Sequence, residues 1–276
     1  MRTVWFIARQ FLLVTGAALS YFAVRNITEG KQSTADKNAR RLLDLEESIG
    51  VAVERSIQEA IEGRELIVDL SNWIYIWGHW PVLIGSLLWL AIAHRDDYYF
   101  MRNAMFISGG IGIVIFALLP MTPPRLFGIE YVDTVTERSN SYRVLQPPGL
   151  VNPYAAMPSL HFGWNLLAGI MWFRLGRSRW WGPLGVTMPL AMAWAVVATA
   201  NHWVLDVVGG AIVALSGLTI EWWWASRRRL RGDDGDGGDG GDGGGEAGGA
   251  ETVSDASGDV DTPPSGTGGG VVAGES

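Results

Sequence analysis

Five apolar runs, at about 66–93, 103–119, 160–173, 182–200 and 203–225, follow one another along this chain, with one long loop among the breaks. Several come near the roughly 20 residues that a helix needs to cross a hydrocarbon core. In that medium every backbone N–H and C=O must find its partner inside the chain. The runs therefore predict an all-α fold, a polytopic membrane helix bundle. The run from 160 is short and must draw on its flanks. An earlier run, Val4 to Val24, is interrupted by Arg9 and Gln10. Its Ala18 and Ser20 make a poor cleavage site and aromatic residues continue through it, so it reads as a retained helix rather than a signal peptide. With it the expected count is about six transmembrane helices.

Composition agrees. Of the 276 residues, 48% are hydrophobic and fourteen are tryptophan, too apolar for a typical soluble domain. The formal charge of -7 misleads, because the chain after Arg231 carries eleven acids and no Lys or Arg, and the remainder stands at +4. That Gly/Asp-rich stretch cannot bury enough surface to offset its ordering entropy, and reads as a disordered tail. There are no cysteines, which excludes disulfides, thiol nucleophiles and Cys-ligated zinc. The basic residues form no aromatic-interleaved patch, so nucleic acid is not an expected partner.

Three parts follow: 1–65, a transmembrane helix and an amphipathic external helix; 66–231, the membrane core; and 232–276, the acidic tail. Within 31–65, Leu42, Leu45, Ile49, Val53, Ile57 and Ile61 recur at three-to-four spacing with charges between them. Such a helix could lie in the membrane interface over a site, or pack on a neighbouring loop or subunit. In the run from 66, Asn72, Tyr75 and His79 form a polar stripe facing the bundle, and His79 reads as a hydrogen-bonded bundle histidine.

Orientation follows from the cations. Arg95 and Arg102, then Arg174, Arg177 and Arg179, then Arg227, Arg228, Arg229 and Arg231 fall on one side if all six runs span. The positive-inside rule makes that side the cytoplasm, and the tail goes with it. The Pro120–Pro158 loop, His161 and His202 then lie on the external face of a multi-pass cell-membrane protein. The 25–66 segment strains the rule, although acids balance its basic residues.

Ionisable groups at helix mouths are costly to desolvate, and mark a functional site by default. Asp206 follows His202 by four residues, so on one helix the two share a face. A carboxylate at one imidazole nitrogen fixes the tautomer and leaves the other as a lone-pair nucleophile. Forty residues earlier, Pro158 suits a first helical position. The amides after it make an anion site beside Ser159 and His161, and His161 could protonate a leaving group. Pro120-Met-Thr-Pro-Pro-Arg125 is a rigid turn presenting a guanidinium, the side chain best matched to phosphate. Two membrane histidines could instead ligate haem or a metal, but the carboxylate beside His202 and the Pro-Ser before His161 would then be unexplained.

These motifs resemble those of the phosphatidic acid phosphatase type 2 superfamily. Pro158-Ser-Leu-His161 and His202-x-x-x-Asp206 match its second and third motifs. Thr122-Pro-Pro-Arg125 and Ala155-Ala-Met-Pro-Ser-Leu-His-Phe-Gly-Trp164 look most like its inositol phosphorylceramide synthase (inositolphosphotransferase) branch. The resemblance, over about 66–225, implies a six-helix bundle, a phosphohistidine on His202, leaving-group protonation by His161, and no metal or other cofactor. The expected substrate is a membrane phospholipid or isoprenoid phosphate, with an alcohol acceptor for a phosphotransferase or water for a phosphatase. Two cations of the family pattern are missing: the first-motif lysine, and an arginine six residues before His202, where Val196 stands. Arg125 is the leading replacement and Arg143 the second; the bland alternative for each is a solvated loop cation. The expected site is thus His202, Asp206 and His161 for catalysis, with Arg125, Ser159 and Arg143 on the phosphate.

Overall fold

A computed structural model of the chain describes residues 31–128, 130–138 and 152–230, with a few isolated positions between 12 and 23. Arg143, the tail and most of the first apolar run lie outside the described residues. Ten helices are described: α1 (Gln32–Ile49), α2 (Glu54–Ile61), α3 (Glu65–Trp77), α4 (Trp80–Ala93), α5 (Arg95–Leu118), α6 (Pro124–Phe127), α7 (Thr134–Arg138), α8 (Leu160–Leu175), α9 (Trp181–Ala198) and α10 (Val204–Leu230). The fold is all-helical among these residues, with one isolated parallel bridge between Met121 and Ala155.

Three helices, α5, α9 and α10, are long and apolar enough to cross a membrane. The run from 66 to 93 is not one straight helix. It breaks at Gly78 and His79, and α3 and α4 meet there at 44°, so the pair can count as a fourth, broken span. Pro81, in the first turn of α4, is the cause. Its ring opposes the helical carbonyl four residues back and it has no N–H to bond it. α8 has only 16 residues and most of the first apolar run lies outside the described residues, so among the described residues three or four of the expected six spans are found by length and composition.

The 31–65 segment also divides. α1 ends on Gly50, whose left-handed φ of 74° lets its amide turn back to the carbonyls of Glu46 and Glu47. The buried face of α1 is Ala35, Ala39, Leu42, Leu43 and Glu46, whereas Leu45, Ile49 and Val53 of the expected apolar stripe are exposed. The face that packs inward thus ends in an acid.

The bundle has the polarity of a membrane protein. Leu70, Trp73, Ile84, Leu88, Ile92, Val114, Phe173, Leu190 and Ile212 are exposed, while Ser71, Asn72, Ser86, Ser108, Asn165 and Glu221 are buried. Three indole N–H groups bind serines on neighbouring helices: Trp164 to Ser108, Trp172 to Ser86 and Trp194 to Ser71, at 3.0–3.2 Å. In a medium without water such pairs satisfy polar groups and fix helix pairing at once. α8 is central, packed on α9, α10, α5 and α4. Its closest crossing is with α9, where a methyl on Gly169 would strike the Gly185 carbonyl and lie 3.1 Å from the Pro189 ring.

The arginines gather at the ends of α8 and α10 remote from the histidines. Arg174 pairs with Asp97 at 3.2 Å, and Arg228 with buried Glu221 at 2.7 Å, where Asn103 also donates.

Gly169→Leu should lower the melting temperature in detergent by the equivalent of about 1–3 kcal/mol of overpacking or more. Gly182→Leu, where an added carbon meets Phe173 only at 3.8 Å, should melt near the parent. Equal melting of the two variants would contradict this packing.

Candidate functional site

The site is built where α9 ends and α10 begins. α9 closes at Thr199. Ala200 then takes a left-handed φ of 54°, and the amides of Asn201 and His202 both return to the Val196 carbonyl. His202 therefore sits in the connecting turn, ahead of α10, rather than on a helix shared with Asp206 as the spacing suggested. The turn still brings them together: His202 Nδ1 lies 3.5 Å from Asp206 Oδ2. The shorter contact of Nδ1 is to the Ala156 carbonyl, 2.8 Å away. A carbonyl only accepts, so Nδ1 carries the proton and Nε2 keeps its lone pair. Asp206 also binds the Trp203 amide through Oδ2 at 2.9 Å, the back-reaching half of a capping box. Its Oδ1 is buried and makes no hydrogen bond among the described residues.

Ala156 is held for this role by a backbone exchange between two loops. The Met121 amide binds the Tyr154 carbonyl at 2.8 Å, and the Ala156 amide binds the Met121 carbonyl at 3.3 Å. Trp203 ties the same loop from the other side. It is fully buried against Phe127 and Tyr131, and its indole N–H binds the Thr122 carbonyl at 2.9 Å.

α8 begins two residues later than the sequence suggested. Pro158 follows a cis peptide bond and precedes the helix; Ser159 is the N-cap, its hydroxyl accepting from the Phe162 amide at 3.5 Å, and Leu160 is the first helical residue. The Ser159 amide binds the Asp206 carbonyl at 2.9 Å. Glycine is required at 210 and 163 for this approach, since a Cβ on Gly210 would strike the Ser159 carbonyl and one on Gly163 would lie 2.7 Å from the Gly210 carbonyl. The amides of Leu160 and His161 have no acceptor among the described residues.

His161 faces His202 with ring centroids 6.0 Å apart. Its ring makes no hydrogen bond among the described residues and is held by packing, stacked on Tyr75 at 4.8 Å and against His79 at 4.2 Å. His79, read from the sequence as a bundle histidine, is thus part of this cluster. Asn165 Nδ2 donates to the His161 carbonyl at 2.8 Å and lies 3.2 Å from His79 Nδ1, which makes that nitrogen an acceptor.

Arg125 is not a free loop cation. Its amide binds the Ala200 carbonyl, its Nε donates to Asn201 Oδ1 at 2.9 Å, and its Nη1 pairs with Asp133 at 2.9 Å with only 12% of the side chain exposed. Asn201 places the guanidinium one residue from His202, and Nη2 has no partner among the described residues. Val196, standing where the family pattern has arginine, is wholly buried with Met192, Ala195 and Val135. A cation there would enter the core.

Sequence reading missed the acids of the N-terminal segment. Glu46 and Glu54 are buried, and bind the Leu205 and Val204 amides, each at 2.7 Å. The signal was available for Glu46, which continues the 4-3-4 spacing of Ala35, Ala39 and Leu42. Burial pushes its carboxyl up to about 8, against the lowering by the Leu205 amide, and Glu54 pushes it further. Facing it are Glu54 from α2, Asp206 from α10, and Tyr131, whose phenol burial pushes up to about 12. Among the described residues, no group of three or more His, Cys, Asp or Glu could hold a metal ion.

Comparison with known families gives a match to the model described as PAP2 superfamily over residues 40–220, well over half of the chain. No curated protein and no solved structure matches it.

Glu46 generates a pH prediction. A carboxyl whose folded pKa is raised keeps its proton in the fold after the unfolded chain has lost it, so stability is full below about 4.5 and declines as the pH rises towards about 8. The melting temperature should fall over that range, and Glu46→Gln should flatten the slope. Parallel slopes for parent and variant would rule the carboxyl out as its source.

Proposed function

The chain belongs to the PAP2 superfamily of membrane phosphatases and phosphotransferases, and from that premise we propose that it transfers a phosphoryl group from a membrane phospholipid through a covalent phosphohistidine on His202. The observation that carries this reading is the Nδ1 contact with the Ala156 carbonyl, which leaves Nε2 as the unprotonated nitrogen. In the proposed step Nε2 attacks phosphorus as the bond to the leaving oxygen breaks, and His161 gives that oxygen its proton. His161 then takes a proton from the incoming hydroxyl, which displaces His202 and regenerates it. Asp206 supports the positive charge on the imidazole.

The phosphoryl oxygens are assigned to the open amides at the start of α8, the Ser159 hydroxyl and Arg125, with Arg143 as a further donor from the 139–151 stretch. Arg125 is preorganised by Asn201 and Asp133, which suits it to a charge that develops during reaction. Transfer to an alcohol, inositolphosphotransferase-like, is favoured over hydrolysis by the likeness of Thr122-Pro-Pro-Arg125 and Ala155–Trp164 to that branch. A phosphatase acting on lipid or isoprenoid phosphates would use the same first step. Labelled phospholipids and prenyl phosphates, with and without alcohol acceptors, separate the two by product.

We place the site on the external face, because the arginine-rich ends of α5, α8 and α10 take the cytoplasmic side under the positive-inside rule.

Quenching in alkali with labelled lipid should trap label on the protein in an acid-labile, base-stable bond, and His202→Ala should abolish both label and turnover. Near-parental turnover in that variant would sink the mechanism. Arg125→Ala should cost about two to three decades in rate, as for loss of one oxyanion donor, and Arg125→Lys should recover little because an ammonium cannot keep the Asn201 and Asp133 bonds and still present a donor to phosphate. Parental activity in Arg125→Ala would remove Arg125 from the clamp.

Sidedness is open to labelling, since the chain has no native cysteine. Cysteine at exposed Glu130 should react with an impermeant reagent in intact cells, and cysteine at exposed Ser178 only after lysis. The opposite result would invert the topology.

A further inference from the structure

Three consecutive backbone amides at the start of α10 are each taken by a side-chain oxygen of a different acid. Trp203 N–H binds Asp206, Val204 N–H binds Glu54, and Leu205 N–H binds Glu46, at 2.9, 2.7 and 2.7 Å. A helix can meet this need with a polar N-cap side chain. Here the N-cap position is Trp203, which carries no acceptor, so two of the three bonds come from residues 150 and 159 positions away. Glu46 and Glu54 are 0% and 1% exposed. Burying a carboxylate is costly unless it is bonded, and a capping serine would have avoided that cost. Two bonds of 2.7 Å from separate helices tie the turn to the α1–α2 segment, which a local cap could not do.

What that tie serves is fixed by place. Val204 and Leu205 follow His202 by two and three residues, and the turn between α9 and α10 is what aims the imidazole. We propose that Glu46 and Glu54 are positioning residues for His202: the α1–α2 segment clamps the first turn of α10 and so fixes the reach of the attacking nitrogen. This rests on the reading of His202 as nucleophile. Neither glutamate touches the substrate. Their effect passes through α10, where a displacement of about 1 Å is worth about 10²-fold in rate.

The test uses the full-length enzyme in detergent or vesicles, with steady-state and single-turnover phosphoenzyme formation from labelled phospholipid. Glu54→Ala should lower kcat and the rate of phosphoenzyme formation on the order of 10²-fold, with KM changed less than about threefold, since the phosphate and lipid contacts remain. Glu54→Gln, whose amide oxygen can still accept from Val204, should regain most of the loss. Glu46→Ala and Glu46→Gln should behave likewise, and Glu47→Ala, exposed on the same helix, should match the parent. If Glu54→Ala fails to assemble, Glu54→Asp, shorter by one methylene, should show the same kcat loss. Parental kcat in these alanine or aspartate variants overturns the proposal, as does a rise in KM at constant kcat. A parent that turns over without any phosphoenzyme, with His202→Ala still active, instead overturns the nucleophile reading, and so the two failures are distinguishable.

Discussion

The structure depends on how the turn between α9 and α10 satisfies its backbone at the mouth of an apolar bundle. Few of its polar groups can be left to solvent. The Val196 carbonyl takes two amides, those of Asn201 and His202, and the Ala200 carbonyl takes the amide of Arg125. Ala200 accepts a left-handed conformation that favours glycine, a strain that the surrounding bonds must hold in place. Each of these contacts joins the turn to another segment, and the sum of them is the position of His202. The Thr122-Pro-Pro-Arg125 turn, the Ala156 carbonyl and the α1–α2 segment are therefore parts of one construction rather than separate motifs.

The two helices that meet there are treated oppositely. The positive end of α10 is covered by Asp206, Glu54 and Glu46, so an anion finds no free amide on Trp203, Val204 or Leu205. The positive end of α8 keeps the Leu160 and His161 amides open, with a neutral Ser159 cap. Electrostatics follow from this division. In the proposed step, the acid oxygens gathered behind His202 would favour a cation on the imidazole, while the half-charge at the start of α8 would favour phosphoryl oxygens. His161 stands on the α8 side, facing His202.

The membrane bundle and the His161, His202 and Asp206 constellation were legible because each follows from local pattern: apolar runs of spanning length, and ionisable groups at their ends. Boundaries were less so. Among the described residues three or four of the expected six spans are found, because α8 is short and Pro81 bends another run, and most of the first run lies outside them. Gly50 divides an amphipathic stretch whose hydrophobic repeat runs through it unbroken. α8 starts at Leu160 with Ser159 as its cap, two residues past Pro158, and no periodicity reports it. Glu46 and Glu54 escaped for a different reason. Their partners are backbone amides 150 or more residues away, and a backbone amide has no letter in a sequence.

Under the proposed function, Arg125 would meet the charge deficit left at the phosphate. Arginine at position 196 would project into the packing of Met192, Ala195 and Val135, a core that has room for valine. The cation comes instead from the far loop, brought beside His202 by the Ala200 carbonyl and Asn201. Its pairing with Asp133 offsets part of its charge, yet the same pairing removes the entropy that a free arginine would lose on binding phosphate. Only Nη2 remains unengaged among the described residues, so in the proposed site a phosphoryl oxygen would meet one fixed donor rather than a flexible fork. A donor already held in place strengthens most where charge grows during the reaction, and adds less to ground-state binding. That is the balance expected of a site acting, as proposed, on a lipid already concentrated in the membrane.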